Sequence, residues 1–329
     1  MTPKVVVSVV SGARAEHIVN LLASLRPSVA DPSLDATIVV TLNTRDDALA
    51  QLVRSGGPRC DVIVNDEPRG YATNHNHVIA TYPADHYVIA NDDVIVPDGA
   101  MRALVAFMDQ PANARVGVAS PVLRNPDGTL QPSTSAFPTI PRTLLSMSGL
   151  RRTRVVDAAL RSVGKLPIFG GGRTKYWAHD RTMSVATLNG AFVIVRGATI
   201  ADVGLMDEVS LAGGEEAEWH KRMADHGWAV VLLHGVEVTH IGEQTVGGWS
   251  RRDLEYAKGW FNYFAKHSTT LRTRVLAAGA WLVWGARAAI SSARGDAEQK
   301  ELARDAMRLS RRVWSDGDVR TADRAPERA

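Results

Sequence analysis

The 329-residue chain has one cysteine, Cys60. That excludes an internal disulfide and fits a reducing compartment. Long hydrophobic runs are missing as well: no stretch approaches the roughly 20 apolar residues of a spanning helix. The opening run Val5-Val6-Val7 is too short for the apolar part of a secretory leader and has no cleavage region after it, so none is expected. Charge of one sign is also scarce. A net charge of +3 is too small an excess to imply nucleic acid as a partner. No internal repeat is present. What remains is ordinary for a globular chain, with 45% hydrophobic and 22% charged residues, long enough for one large domain or two small ones.

The first part alternates strand and helix patterns. Val5 to Val10 reads as a buried strand. A helix with Ile18, Leu21, Leu22 and Leu25 on one face follows, expected to end at Arg26-Pro27. Thr37 to Thr41 is the second strand, Asp46-Asp47 can cap a helix from Ala48 to Val53, and Asp61 to Val64 is the third strand. This alternation predicts a doubly wound, mostly parallel α/β sheet. A loop from Asn65 to Gly70 leads into a helix from Ala72 carrying Asn74, His75, Asn76 and His77. A polar helix start beside a strand end can bind an anion through its free N–H groups. The histidines read as surface or capping residues.

The organising stretch is Tyr87-Val88-Ile89-Ala90-Asn91-Asp92-Asp93. A short apolar run ends abruptly in carboxylates, at the strand edge where open α/β sheets bind ligands. Adjacent buried carboxylates need a partner, and a hard divalent cation carrying diphosphate oxygens is the natural one. A helix with Met101, Leu104, Val105 and Met108 on one face follows, then a strand from Val116 and a turn at Asn125-Pro126-Asp127-Gly128. From Arg142 to Lys175 basic residues gather against the single acid Asp157. That reads either as a solvated excursion or as a mobile loop attracting an anionic acceptor or lipid phosphate, over about residues 141–180. Regular structure resumes at Val185 to Val195. A helix from Glu216 to His226 opens with acids and ends at Gly227. Ala229 to Leu233 and Val236 to Val238 read as two short strands, and Leu254, Ala257, Phe261 and Phe264 share a helical face.

Taken in order, several blocks resemble the family 2 glycosyltransferases of the GT-A fold, especially bacterial rhamnosyltransferase-like members, from about Val5 to about His267. They are Gly70-Tyr71-Ala72-Thr73-Asn74-His75-Asn76, Ala90-Asn91-Asp92-Asp93, Leu188-Asn189-Gly190-Ala191 with Met206-Asp207-Glu208, Glu215-Glu216-Ala217-Glu218-Trp219, and His240. Two departures stand out. Leu42 precedes Asn43 where the family has an Asp-Asn pair, and Glu216 replaces the family's aspartate base.

The resemblance implies a metal-dependent, inverting transfer of a hexose, with rhamnose a candidate, from a nucleotide-diphosphate sugar to a hydroxyl of a glycan, lipid-linked or small-molecule acceptor. It implies Asp93 and His240 as ligands of Mn²⁺ or Mg²⁺. Donor contacts fall to Asn43, Arg69, Gly70, Asn76, Asn91 and Asp92, and acceptor contacts to Asn189, Gly190 and Trp219. The general base is Glu216 by position, with Glu215 as the alternative. Two rival readings stay open: a sugar-1-phosphate nucleotidyltransferase, and an inactive nucleotide-sugar- or carbohydrate-binding protein.

The expected organisation is a GT-A domain over 1–250, a helical C-terminal region over 251–312 and a disordered tail over 313–329. Within the helical region, Val275 to Ala286 is uncharged and flanked by Arg272, Arg274 and Arg287. It reads as a core helix or as one lying in a membrane interface. Peripheral membrane contact is therefore carried as an expectation for residues 271–290, with a cytoplasmic location at the inner membrane face. Self-association as a homodimer is left open.

Overall fold

The computed structural model describes residues 2–12, 14–55, 59–149, 179–211, 213–242, 251–317 and 319. Most of the basic excursion and the end of the tail lie outside them. The chain divides into two units. Unit 1 takes Met1–Ser135, Tyr176–Met206 and Trp219–Gln244; unit 2 takes Ala136–Lys175, Asp207–Glu218 and Thr245–Ala329.

Unit 1 holds eleven described strands: β1 (Lys4–Ser11), β2 (Asp35–Leu42), β3 (Cys60–Val64), β4 (His86–Asn91), β5 (Val94–Ile95), β6 (Val116–Arg124), β7 (Thr134–Ser135), β8 (Met183–Ser184), β9 (Thr187–Leu188), β10 (Phe192–Arg196) and β11 (Ala229–His240). The main sheet runs β3-β2-β1-β4-β10-β6-β11-β5, with β8 beside β11. Its β3-β2-β1-β4 part is parallel throughout. β10 enters antiparallel between β4 and β6. Strands buried on both faces need near-continuous apolar sequence, and β1 supplies it with Val5, Val6, Val7 and Val9 all at or below 1% exposure.

The helices of this unit are α1 (Ala15–Ala30), α2 (Asp47–Arg54), α3 (Tyr71–Thr81) and α4 (Ala100–Asp109). The Asp46 side chain caps α2 by accepting from Leu49 N. Two expectations are corrected. α1 does not stop at Arg26-Pro27 but continues to Ala30. Leu25 and Ser28 stay buried, and packing of that turn offsets the hydrogen bond that proline omits. The two short strands expected near 229–238 are one strand, β11, whose pairing with β6 shifts register between Leu233 and Glu237. Gly235, at φ +89°, takes up the irregularity.

After α5 (Ile140–Ser148, unit 2) and α6 (Gly197–Val203, unit 1) comes α7 (Glu215–Asp225). Unit 2 contains α7 through Glu218, and unit 1 contains the rest. Unit 2 also holds α8 (Arg251–His267), α9 (Thr270–Ala293) and α10 (Ala297–Asp316). The core of unit 2 includes Phe261 and Phe264 of α8, Leu276, Ala280 and Trp284 of α9, and Leu309 and Val313 of α10.

α9 is longer than its uncharged centre suggested. At 24 residues and mean hydropathy 1.3 it is the one described helix long and apolar enough to cross a membrane by length and composition alone. One face packs inward, while Leu271, Leu282 and Val275 are 71%, 65% and 48% exposed. α10 runs to Asp316, so residues 313–316, expected in the tail, are helical; Gly317 closes the helix in a left-handed conformation.

Candidate active site

In unit 1 the C-terminal ends of the parallel strands carry the polar residues. β1 ends in Ser11, β2 leads into Asn43, β3 into Asn65, and β4 ends in Asn91 before Asp92-Asp93. Their alignment follows from pairing: Val10 lies opposite Asn91, Asn43 N donates to Ser11 O and Asn65 N to Leu42 O. Ser11 Oγ therefore reaches Asp92 Oδ2 at 2.6 Å. Burial pushes the Asp92 carboxyl above its usual range; the Ser11 hydroxyl opposes this, and the charge of Asp93 adds to it.

Asp93 and His240 come together for a backbone reason. β5 follows Asp93 directly and pairs antiparallel with the end of β11, placing His240 opposite Val94. Ile241 N donates to Asp93 O at 2.9 Å, and Gly242 N to Asp93 Oδ2 at 3.1 Å. Asp93 Oδ1 is buried, makes no hydrogen bond, and lies 3.2 Å from His240 Nε2. Burial alone would push the Asp93 carboxyl up, but the contact with His240 and the Gly242 N–H outweigh it and hold it below its usual range.

Gln131 determines the imidazole's orientation. Its Oε1 lies 2.7 Å from His240 Nδ1, while its own Nε2 donates to Asn125 Oδ1 and His240 O. Nδ1–H is thus directed at Gln131, and Nε2 faces Asp93 Oδ1: when the ring is protonated Nε2 is the positive partner that holds the Asp93 carboxyl down, and when the ring is neutral Nε2 presents a lone pair there. Asn91 Nδ2, at 3.4 Å, is a long-range donor to that nitrogen. Two facing lone pairs repel unless positive charge lies between them.

A divalent cation fits this donor set. Among the described residues no group of three or more His, Cys, Asp and Glu side chains converges. The protein side is then one carboxylate and one imidazole. Mg²⁺-type sites commonly use one or two carboxylates and leave the other positions to phosphate and water.

Asparagines organise the neighbouring edge. Asn65 Nδ2 donates to Asn43 Oδ1 at 3.0 Å and to Asn74 Oδ1 at 2.8 Å. Asn43 Oδ1 also receives Arg69 N at 2.8 Å, and Asn43 Nδ2 donates to Arg69 O at 2.9 Å. This cage fixes the backbone just before α3 and leaves the Arg69 side chain exposed. Gly70 is the residue preceding the helix, in extended conformation. Tyr71 Oη donates to Gly190 O, and Asn91 N to Ala191 O, so the Asn189-Gly190-Ala191 turn joins the same edge. Asn189 is exposed, and its Oδ1 accepts from Ala191 N.

Three expectations are corrected. Asn76 is buried, and its amide pairs with Met206: Nδ2 donates to Met206 O at 2.9 Å and Oδ1 accepts from Met206 N at 3.1 Å. It braces the backbone rather than facing a donor sugar. Trp219 is 2% exposed in the core, with its Nε1 donating to Gly204 O, so its ring offers no surface to an acceptor. His75 is not at the surface. It is fully buried, with Nδ1 2.7 Å from Ser8 Oγ, and burial pushes it down to about 3. Asn74 was named only as part of the polar helix start and its block, while Ser11, Asn65 and Gln131 were given no site role from sequence, because each reads as ordinary turn or strand chemistry until the strand ends are aligned.

In unit 2 the acidic segment begins α7. Glu215 is buried and Glu216 half-buried. Gly213 and Gly214 precede them at φ +98° and +94°, a conformation that favours glycine. Both carboxylates lie in the first turn of α7.

The comparisons agree with this architecture. The family model described as "Glycosyltransferase like family 2" matches residues 3–255. N-acetylglucosaminyl-diphospho-decaprenol L-rhamnosyltransferase, from two strains of Mycobacterium tuberculosis, is 24% identical over 258 residues, 75% of this chain and 79% of the relative. Among solved structures, mannosyltransferase PcManGT from Pyrobaculum calidifontis, in complex with GDP-Man and Mn²⁺, superposes with TM-score 0.52 at 16% identity, covering 96% of this chain and 84% of that one. GalNAc-T7 with UDP, GalNAc and Mn²⁺ gives TM-score 0.54 at 13% identity, over 80% and 50% of the two chains. The sheet is that of the GT-A fold. With most of its length inside the family match, the chain belongs to glycosyltransferase-like family 2 and is a glycosyltransferase.

Proposed function

We propose that the protein is a metal-dependent, inverting hexosyltransferase whose donor is a nucleotide-diphosphate sugar, with rhamnose as the transferred unit and a polyprenyl-diphosphate-linked sugar as acceptor. The observation that carries this reading is the Asp93–His240 pair at the sheet edge, Oδ1 and Nε2 3.2 Å apart with the ring's other nitrogen held by Gln131. The rhamnosyl and lipid-linked assignments lean on the Mycobacterium tuberculosis relative.

In this reading Asp93 and His240 hold a divalent cation, which supplies charge stabilisation to the departing diphosphate. Asn91, Asp92 and Asn43 orient the nucleotide, and the exposed Arg69 meets phosphate. Glu216 takes the proton of the acceptor hydroxyl as its oxygen bonds to the anomeric carbon. The bond from that carbon to the diphosphate oxygen breaks with its electron pair, and the configuration inverts. Glu215 is buried beside it and supports the helix start. The basic residues between Arg142 and Lys175 give an anionic acceptor an electrostatic attraction. The exposed apolar face of α9, with Arg272 and Arg274 near its start, suits peripheral contact with a lipid surface.

The test is transfer from dTDP-rhamnose to N-acetylglucosaminyl-diphospho-polyprenol with Mn²⁺ or Mg²⁺, and with chelator. Release of dTDP and an inverted linkage are expected with metal only. Absence of transfer from every nucleotide sugar tried, or release of pyrophosphate instead, overturns the reading.

A further inference from the structure

Asp207, Leu211, Gly213, Gly214 and Glu218 of unit 2 lie along α8. Leu211 N donates to Glu255 Oε2 at 2.9 Å. One turn on, the backbones touch. A Cβ on Gly259 would run into Gly213 O, and a Cβ on Gly214 would lie 2.9 Å from the Gly259 carbonyl carbon. Toward the end of α8 the contacts become ionic. Asp207 Oδ2 accepts from Asn262 Nδ2 at 3.1 Å and pairs with Lys266. Glu218, with no exposed surface, has Oε1 3.3 Å from Lys266 Nζ and 3.2 Å from His267 Nε2. Lys266 therefore bridges two buried carboxylates that flank the Gly213-Gly214 turn and the start of α7.

Carboxylates removed from water are unstable without compensating charge, and deleting one member of such a cluster strands the rest. The Glu218 carboxylate belongs to the same helical turn as Glu215 and Glu216. Its restraint is a restraint on theirs.

We propose that Lys266 and His267 are positioning residues for the sugar transfer. Through Asp207 and Glu218 they fix the first turn of α7, and with it the carboxylate that takes the acceptor proton. This rests on the assignment of the base to that turn. Neither residue needs to touch substrate; each acts through the acid it holds.

The test uses the full chain. With dTDP-rhamnose as donor, Lys266→Met lowers kcat by about 10–100-fold while the donor KM stays within a few-fold, because misplacing a reacting group costs rate rather than donor affinity. Lys266→Arg, which keeps the charge, recovers most of the rate. Amide hydrogen exchange over residues 215–219 rises by about tenfold in Lys266→Met, while exchange over 276–284 is unchanged. Should Lys266→Met fail to fold, Glu218→Gln/Lys266→Met removes the stranded charge together with its partner, and His267→Gln probes the second contact. Wild-type kcat together with wild-type exchange in a folded variant overturns the proposal. If the unaltered chain transfers no sugar, the functional reading fails by itself. The exchange measurement still decides the clamp, and unchanged exchange in 215–219 overturns it.

Discussion

Gln131 Oε1 accepts a hydrogen bond from His240 Nδ1 across 2.7 Å, and this contact selects which imidazole nitrogen faces Asp93. Partners of this kind fix tautomer and ring angle, and their loss commonly weakens metal binding by about 10–100-fold. Gln131→Leu should weaken Mn²⁺ binding in the presence of dTDP by that order, measured by calorimetry, with the fold intact. Unaltered affinity would remove Gln131 from the site.

Asp92 and Asp93 are adjacent but separable. Asp93 Oδ1 has no hydrogen bond, whereas Asp92 Oδ2 is committed to Ser11. Asp93→Asn should abolish the rise in melting temperature that Mn²⁺ plus dTDP gives the unaltered protein, since only ligands bound to the folded state raise it. Asp92→Asn should retain part of it. Equal loss in both variants would contradict the division of labour.

The asparagine cage predicts a stability effect. Asn65 is 5% exposed and donates to both Asn43 and Asn74. Asn65→Leu leaves the buried Asn74 carbonyl oxygen without that donor, and should cost about 1–3 kcal/mol in urea unfolding. A loss near zero would mean that the edge tolerates rearrangement.

Acid should destabilise the fold through two buried histidines. Burial pushes His75 and His220 from 6.5 down to about 3. The unfolded chain therefore binds protons first as pH falls. Their contribution is complete above about pH 6.5 and is lost progressively toward pH 3. The urea midpoint should drop between pH 7 and pH 5, and His75→Gln should make that drop shallower. A drop of the same steepness in His75→Gln would show that other groups control acid sensitivity.

Leu271 and Leu282 test the lipid-facing reading of α9. They are 71% and 65% exposed, so Leu271→Glu/Leu282→Glu should leave folding intact. Co-sedimentation with vesicles containing phosphatidylglycerol should fall sharply in this variant. If the unaltered chain does not sediment with such vesicles, the membrane reading is wrong.

Much of the architecture was legible in the residues themselves. The valine run of β1 and the abrupt change from Ala90 to Asp92 are local signals, and both elements sit where the pattern placed them. Residue roles were less legible. An asparagine in sequence does not show whether its amide faces a ligand or the backbone, and Asn76 proved to brace Met206. The resemblance implied an acceptor contact for Trp219 beside the acidic block, yet Trp219 is core. Gln131 reaches His240 across 109 positions of chain, and no short motif marks it. Pro27 looked like a stop because local chemistry says so, and burial of the following turn overrode it.

The strand that brings His240 beside Asp93 pairs over only two positions, Thr239 with Ile95 and His240 with Val94. Side chains alternate faces along a strand, so inserting or deleting one residue in either partner would turn the imidazole to the opposite side of the sheet. On the proposed cation site, a one-residue change of length between Gly235 and Gly242 would separate the imidazole from Asp93, so this two-position ladder fixes the geometry on which that site depends.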